Sequence, residues 1–125
     1  MALEFDEKLV SQGNLTALNQ AFEGLAKSDG HAAEELDVAI GKSIARNPIN
    51  FLKAYQRNET SVSRLDALVG NLGPEYVDDF PRQAVELRKR IKALQSVKSK
   101  SLKPLALKCI KELKRALSTI DAIDP

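Results

Sequence analysis

The chain has no tryptophan, one cysteine, one histidine and only 5% aromatic residues among its 125 positions. Each shortage narrows what the protein does. With Cys109 alone, no intramolecular disulfide forms, which fits a reducing compartment and equally a mature exported chain. With His31 alone, the two-histidine carboxylate sites that helical bundles build for metal pairs lack a ligand. No apolar run approaches the roughly 18 residues that cross a bilayer. The opening Met1-Ala2-Leu3-Glu4-Phe5-Asp6-Glu7 has neither the basic nor the apolar region of an intact signal peptide. A soluble protein, cytoplasmic by default, is expected.

Recognition motifs are missing as well. Gly70-Asn71-Leu72-Gly73 holds two glycines, but no lysine follows and no strand pattern precedes, so it reads as a helix stop and turn rather than a phosphate cradle. There is no helix-turn-helix, no zinc-finger spacing and no basic region with leucine heptads, and no aromatic interleaves with the basic residues.

What remains, 43% hydrophobic and 29% charged, is the composition of a folded domain. A single helical domain over 1–125 is expected, with 1–13 as a loose N-terminal segment and 121–125 as a tail. Ala, Leu, Lys and Glu fill most positions, β-branched runs are scarce, and the apolar period is close to 3.6 throughout. Asn14 caps a first helix with Leu15, Leu18, Phe22 and Leu25 on one stripe. Asp29 caps a second, with Ala33, Leu36, Ile40, Ser43, Ile44 and Asn47 inward, ending where Pro48 restricts Asn47. Asn47 then caps a third, with Phe51, Leu52 and Tyr55 buried and Asn58 near its stop. Thr60 or Ser61 caps a fourth, carrying Val62, Leu65, Leu68, Val69 and Leu72. Asp78 or Asp79 caps a fifth, with Ala84, Leu87, Ile91 and Leu94 inward. Ser99 or Ser101 caps a sixth, with Leu102, Leu105, Cys109, Leu113, Ala116, Leu117 and Ile120. The fold class is all-α: about six helices in antiparallel hairpins, as an irregular bundle or a short HEAT-like stack.

Candidate chemistry is thin. His31 precedes Glu34 and Glu35 by three and four residues, half of a metal site, yet acids in a first helical turn also suit the helix dipole. Cys109 falls on an apolar stripe, where a thiol packs as a small hydrophobe. Asp78 and Asp79 resemble a carboxylate pair for acid and base work, and equally a helix cap. No catalytic residue, cofactor or metal is expected.

Charge is the distinctive feature. Residues 1–79 carry 7 Lys/Arg against 13 Asp/Glu, whereas residues 80–120 carry 12 against 2, so a net charge of +2 hides a strong asymmetry. On a helical wheel Arg82, Lys89 and Lys92 oppose the fifth apolar stripe, and Lys108, Lys111 and Arg115 oppose the sixth. Such faces repel themselves unless something anionic answers them. That anion is a partner, or it is the chain's own acidic half through Glu23, Asp29, Glu34, Glu35 and Asp37. The reading preferred on this ground is a non-catalytic interaction module, an adaptor, inhibitor or immunity-type protein docking an acidic protein. A nucleic-acid-associated protein using the basic faces of 81–97 and 102–120 is the alternative. A hydrolase or metal enzyme on His31 with Glu35 or Asp78 is the third reading.

Overall fold

The computed structural model describes residues 5–123, apart from the side chain of Ser61. All regular structure in that span is helical: α1 (Glu7–Ser11), α2 (Leu15–Ala26), α3 (Gly30–Arg46), α4 (Pro48–Asn58), α5 (Leu65–Gly70), α6 (Phe80–Gln95) and α7 (Lys103–Ile123), with 3-10 turns at Glu59–Ser61 and Pro74–Tyr76. None of these helices is long and apolar enough to cross a membrane.

α1 is the element the pattern does not announce, because five residues are too few to display a period. The Asp6 carboxylate accepts the Leu9 amide at 3.1 Å, and Val10 is driven fully into the core. Gly13 then turns the chain with φ 86, in the left-handed region that glycine adopts without strain. Asn14 caps α2 as its position predicts, its Oδ1 accepting the Ala17 amide at 2.9 Å.

α3 and α4 meet at Asn47. Its N–H closes α3 on the Ser43 carbonyl at 2.7 Å, and its Oδ1 opens α4 by accepting the Asn50 amide at 3.1 Å. Pro48 occupies the first position of α4, where no N–H is needed. The Asn50 side chain in turn donates to the Gly13 carbonyl at 2.8 Å, tying this corner to the α1–α2 turn. Beyond the corner Phe51 and Tyr55 pack with Phe22 of α2, ring centroids 6.2 to 6.5 Å apart. Burying each such ring contributes roughly 1.5–3 kcal/mol, so these few aromatics anchor the first half.

Three caps differ from expectation, the last being that of α7, which begins at Lys103 directly after Leu102, so neither Ser99 nor Ser101 stands at its N-cap. α5 starts only at Leu65, with no side-chain bond at its N-cap Arg64, because residues 59–61 are already wound into a 3-10 turn. Thr60 and Ser61 are therefore not its caps, and Val62 precedes the helix instead of lying on it. Asp29 stands at the start of α3 but makes no capping bond. Asp79, not Asp78, caps α6, accepting the Arg82 amide at 3.3 Å.

α6 and α7 form the longest hairpin and pack extensively on each other. The α7 apolar face is wider than its predicted row, since Ala106 and Ile110 are buried beside Cys109 and Leu113. The cause is that α7 packs on α5 and α4 as well as on α6. α3 touches α1, α2, α4, α5 and α6, so the helices gather around it as a bundle, not in the neighbour-only order of a helical stack.

Candidate functional site

Packing fixes which way the basic helices present their charge. Leu87, Ile91 and Leu94 of α6 share one core with Ala106, Cys109, Ile110 and Leu113 of α7, so the opposite faces look outward. All six cations picked from the wheels, Arg82, Lys89, Lys92, Lys108, Lys111 and Arg115, are exposed. They do not form one group. Arg82 pairs with Asp79 at 3.6 Å and its guanidinium lies 4.6 Å over the Tyr76 ring. Lys89 pairs with Glu86 at 3.1 Å, Lys108 with Glu59 at 3.3 Å and Arg115 with Glu112 at 3.3 Å. Lys92 and Lys111 pair with no carboxylate among the described residues.

The acidic half does not answer the basic half through the residues proposed for it. Among the described residues no ion pair joins α6 or α7 to Glu23, Asp29, Glu34, Glu35 or Asp37. The partners that do occur are local, within a helical turn, apart from Glu59. Exposed Arg88, Lys98, Lys100, Lys103 and Lys114 also lack an ion-pair partner among the described residues.

These unpaired cations share one ridge. At about 100° per residue, Arg88 lies beside buried Ala84 and Ile91 on α6 with Lys92 further outward, while Lys103 and Lys114 lie beside buried Ile110 on α7 with Lys111 further outward. The other flank of each helix is occupied: Arg90 of α6 donates to the Val69 carbonyl, and Ala116 of α7 faces Gly70 of α5. The unpaired flanks therefore adjoin where α6 and α7 meet, with Lys98 and Lys100 in the turn joining them. Leu107, 58% exposed, and Val85, 49% exposed, stand among these charges. The turn lysines escape a helical wheel because they lie on no helix.

Compared with known proteins, the chain matches no family model, no curated protein and no solved structure. The site has to speak through its own chemistry.

The other candidates are placed as follows. His31 Nε2 lies 2.9 Å from Glu35 Oε1, both well exposed, and no cluster of three metal-ligating side chains occurs among the described residues. Asp78 is exposed with φ 64, apart from its neighbour's capping role. Cys109 is fully buried and burial pushes its thiol up to about 12, so it stays protonated.

Two charged groups lie deeper than a surface residue, Arg90, which the sequence reading does not single out, and Asp37, which it places only in the acidic half. Asp37 is half-buried on α3, and burial raises its carboxyl to about 6, opposed by Arg64 and reinforced by Glu34 and Asp66. It borders a cleft of about 800 Å3 with Asp66, Glu112 and Arg115. Arg90 is only 3% exposed. Both had a signal in their spacing: Arg90 falls three after Leu87 and four before Leu94, and Asp37 falls three before Ile40 and seven before Ile44.

Proposed function

We propose that the protein is a non-catalytic helical module that docks an acidic protein on the ridge between α6 and α7. The observation that carries this reading is seven exposed cations, Arg88, Lys92, Lys98, Lys100, Lys103, Lys111 and Lys114, with no carboxylate paired to any of them among the described residues. Like charges so gathered raise the free energy of the isolated protein and fall when an anionic surface covers them. Leu107 and Val85 within the same surface add apolar area that a protein partner buries and a phosphate backbone does not. Lys92 and Lys111 belong to this ridge; Arg82, Lys89, Lys108 and Arg115 lie off it with their charges already matched.

The test is a quadruple reversal, Lys92→Glu, Lys103→Glu, Lys111→Glu and Lys114→Glu. Capture of one acidic protein from the native host should be lost while the melting temperature is kept. Reversing Lys108 and Arg115 instead should reduce capture less. Tight binding to random duplex, weakening steeply with salt, would replace this reading with a nucleic-acid one.

A further inference from the structure

Behind α6, away from the ridge, a cavity of about 510 Å3 opens between α1, α3, the Pro74–Tyr76 turn and α6. Its size lies within the roughly 300–1,000 Å3 of small-molecule sites. Arg90 lines it while remaining 3% exposed. A charge buried to that degree is normally paired, since taking it from water without a partner is costly. Here the guanidinium pairs with no carboxylate among the described residues. Its one hydrogen bond among the described residues runs from Nη1 to the carbonyl of Val69. No fully buried polar side-chain atom lacks a partner among the described residues, so the other guanidinium nitrogens are not wholly sealed off, and the cavity is lined by this same residue.

The surroundings are built to hold that arginine. A Cβ on Gly41 would come within 2.8 Å of Arg90 Nη1 and 2.8 Å of the Leu68 carbonyl, so only glycine leaves room for the side chain. Burial lowers the Arg90 pKa to about 10, which leaves it cationic at neutral pH. The remaining charges answer it only in part: Glu86 attracts it through space but is shared with a lysine. Glu75 is held by Lys42 at 3.5 Å and Glu86 by Lys89 at 3.1 Å. Arg46, exposed on the rim, has no ion-pair partner among the described residues. Two guanidinium groups are therefore left over, one at the wall and one at the mouth.

We propose that this cavity binds a small organic phosphate monoester, its phosphoryl oxygens taken by Arg90 and Arg46. A phosphate monoester carries close to two negative charges at neutral pH, matching the two cations, and its oxygens suit the guanidinium fork. The volume left beside the phosphoryl group takes the organic part.

Isothermal titration with phenyl phosphate, inorganic phosphate and succinate at constant ionic strength tests this. Phenyl phosphate should bind most tightly and raise the melting temperature. Arg46→Gln, at an exposed position that leaves the fold alone, should weaken it by about tenfold, the loss of one charge-assisted contact. Arg90→Lys should weaken it further, because an ammonium cannot reproduce the fork. The quadruple ridge reversal should bind phenyl phosphate as the wild type does, which separates this site from the docking surface. No binding at millimolar phenyl phosphate, equal binding by the wild type and Arg46→Gln, or preference for succinate would overturn the assignment.

Discussion

Replacing Asp37 with asparagine should stabilise the protein at neutral pH, although the residue is an acid on an otherwise well-patterned helix. Its carboxyl titrates near 6 in the folded state against 3.8 in an unfolded chain, chiefly because burial disfavours the anion. A shift of one unit corresponds to about 1.4 kcal/mol, so two units give a ceiling of about 3 kcal/mol. The group is only half-buried, and solvent screening brings the usable figure to about 1 kcal/mol. The sign follows from the raised pKa. The favourable, protonated form is fully present below pH 3.8 and is lost as pH rises through about 6. The charges sharing the cleft are Asp29 and Glu34 beside and on α3, Arg64 and Asp66 at the start of α5, and Glu112 and Arg115 on α7. They are common to both proteins, so the difference between wild type and Asp37→Asn isolates the one carboxyl. Urea unfolding followed by far-UV circular dichroism should give equal stabilities near pH 4, a gap opening between about 4 and 6, and a constant advantage for the asparagine above that. An asparagine variant less stable than wild type at neutral pH would refute the reasoning, for it would mean that attraction to Arg64 outweighs the cost of burying the ionised Asp37.

Cys109 should react slowly with a thiol reagent in native buffer and quickly in denaturant, and Cys109→Ser should cost on the order of 1–3 kcal/mol, read by chemical denaturation. Gly13→Ala should destabilise by more than the about 1 kcal/mol of an ordinary glycine replacement, because φ is 86 and the new Cβ would stand 2.5 Å from the Asn47 Cβ. Asn47→Ala should cost about 1 kcal/mol from the α4 cap alone, measurable in the same unfolding assay.

Most of the helical framework was legible because burial imposes a period, and a period survives in the sequence. Leu36, Ile40 and Ile44, or Leu87, Ile91 and Leu94, announce their face without help from the rest of the chain. Capping was less legible. A Thr or Ser before an apolar run serves a 3-10 turn as readily as a helix start, and the choice depends on tertiary packing. The candidate surface was legible in its sign but not in its outline. Wheels identify outward faces, yet cannot say that Glu59 reaches Lys108 across 49 positions, nor that turn lysines join a ridge. Arg90 and Asp37 occupy inward spacings although their charge favours the surface. Residues whose type contradicts their position are the ones most worth following, since a fold retains such conflicts where they are answered elsewhere or used.

Asn47 ends one helix, begins another and sits against Gly13, while its neighbour Asn50 grips the turn between two more. Amide protons of α1, α2, α3 and α4 near that corner should thus exchange with solvent as one block rather than fraying helix by helix. Opening any one end releases the partners that hold the other three. Slow hydrogen exchange would then be concentrated around a short polar corner as well as in the apolar centre, and a single substitution there would shorten protection times in helices that have no direct contact with the altered side chain.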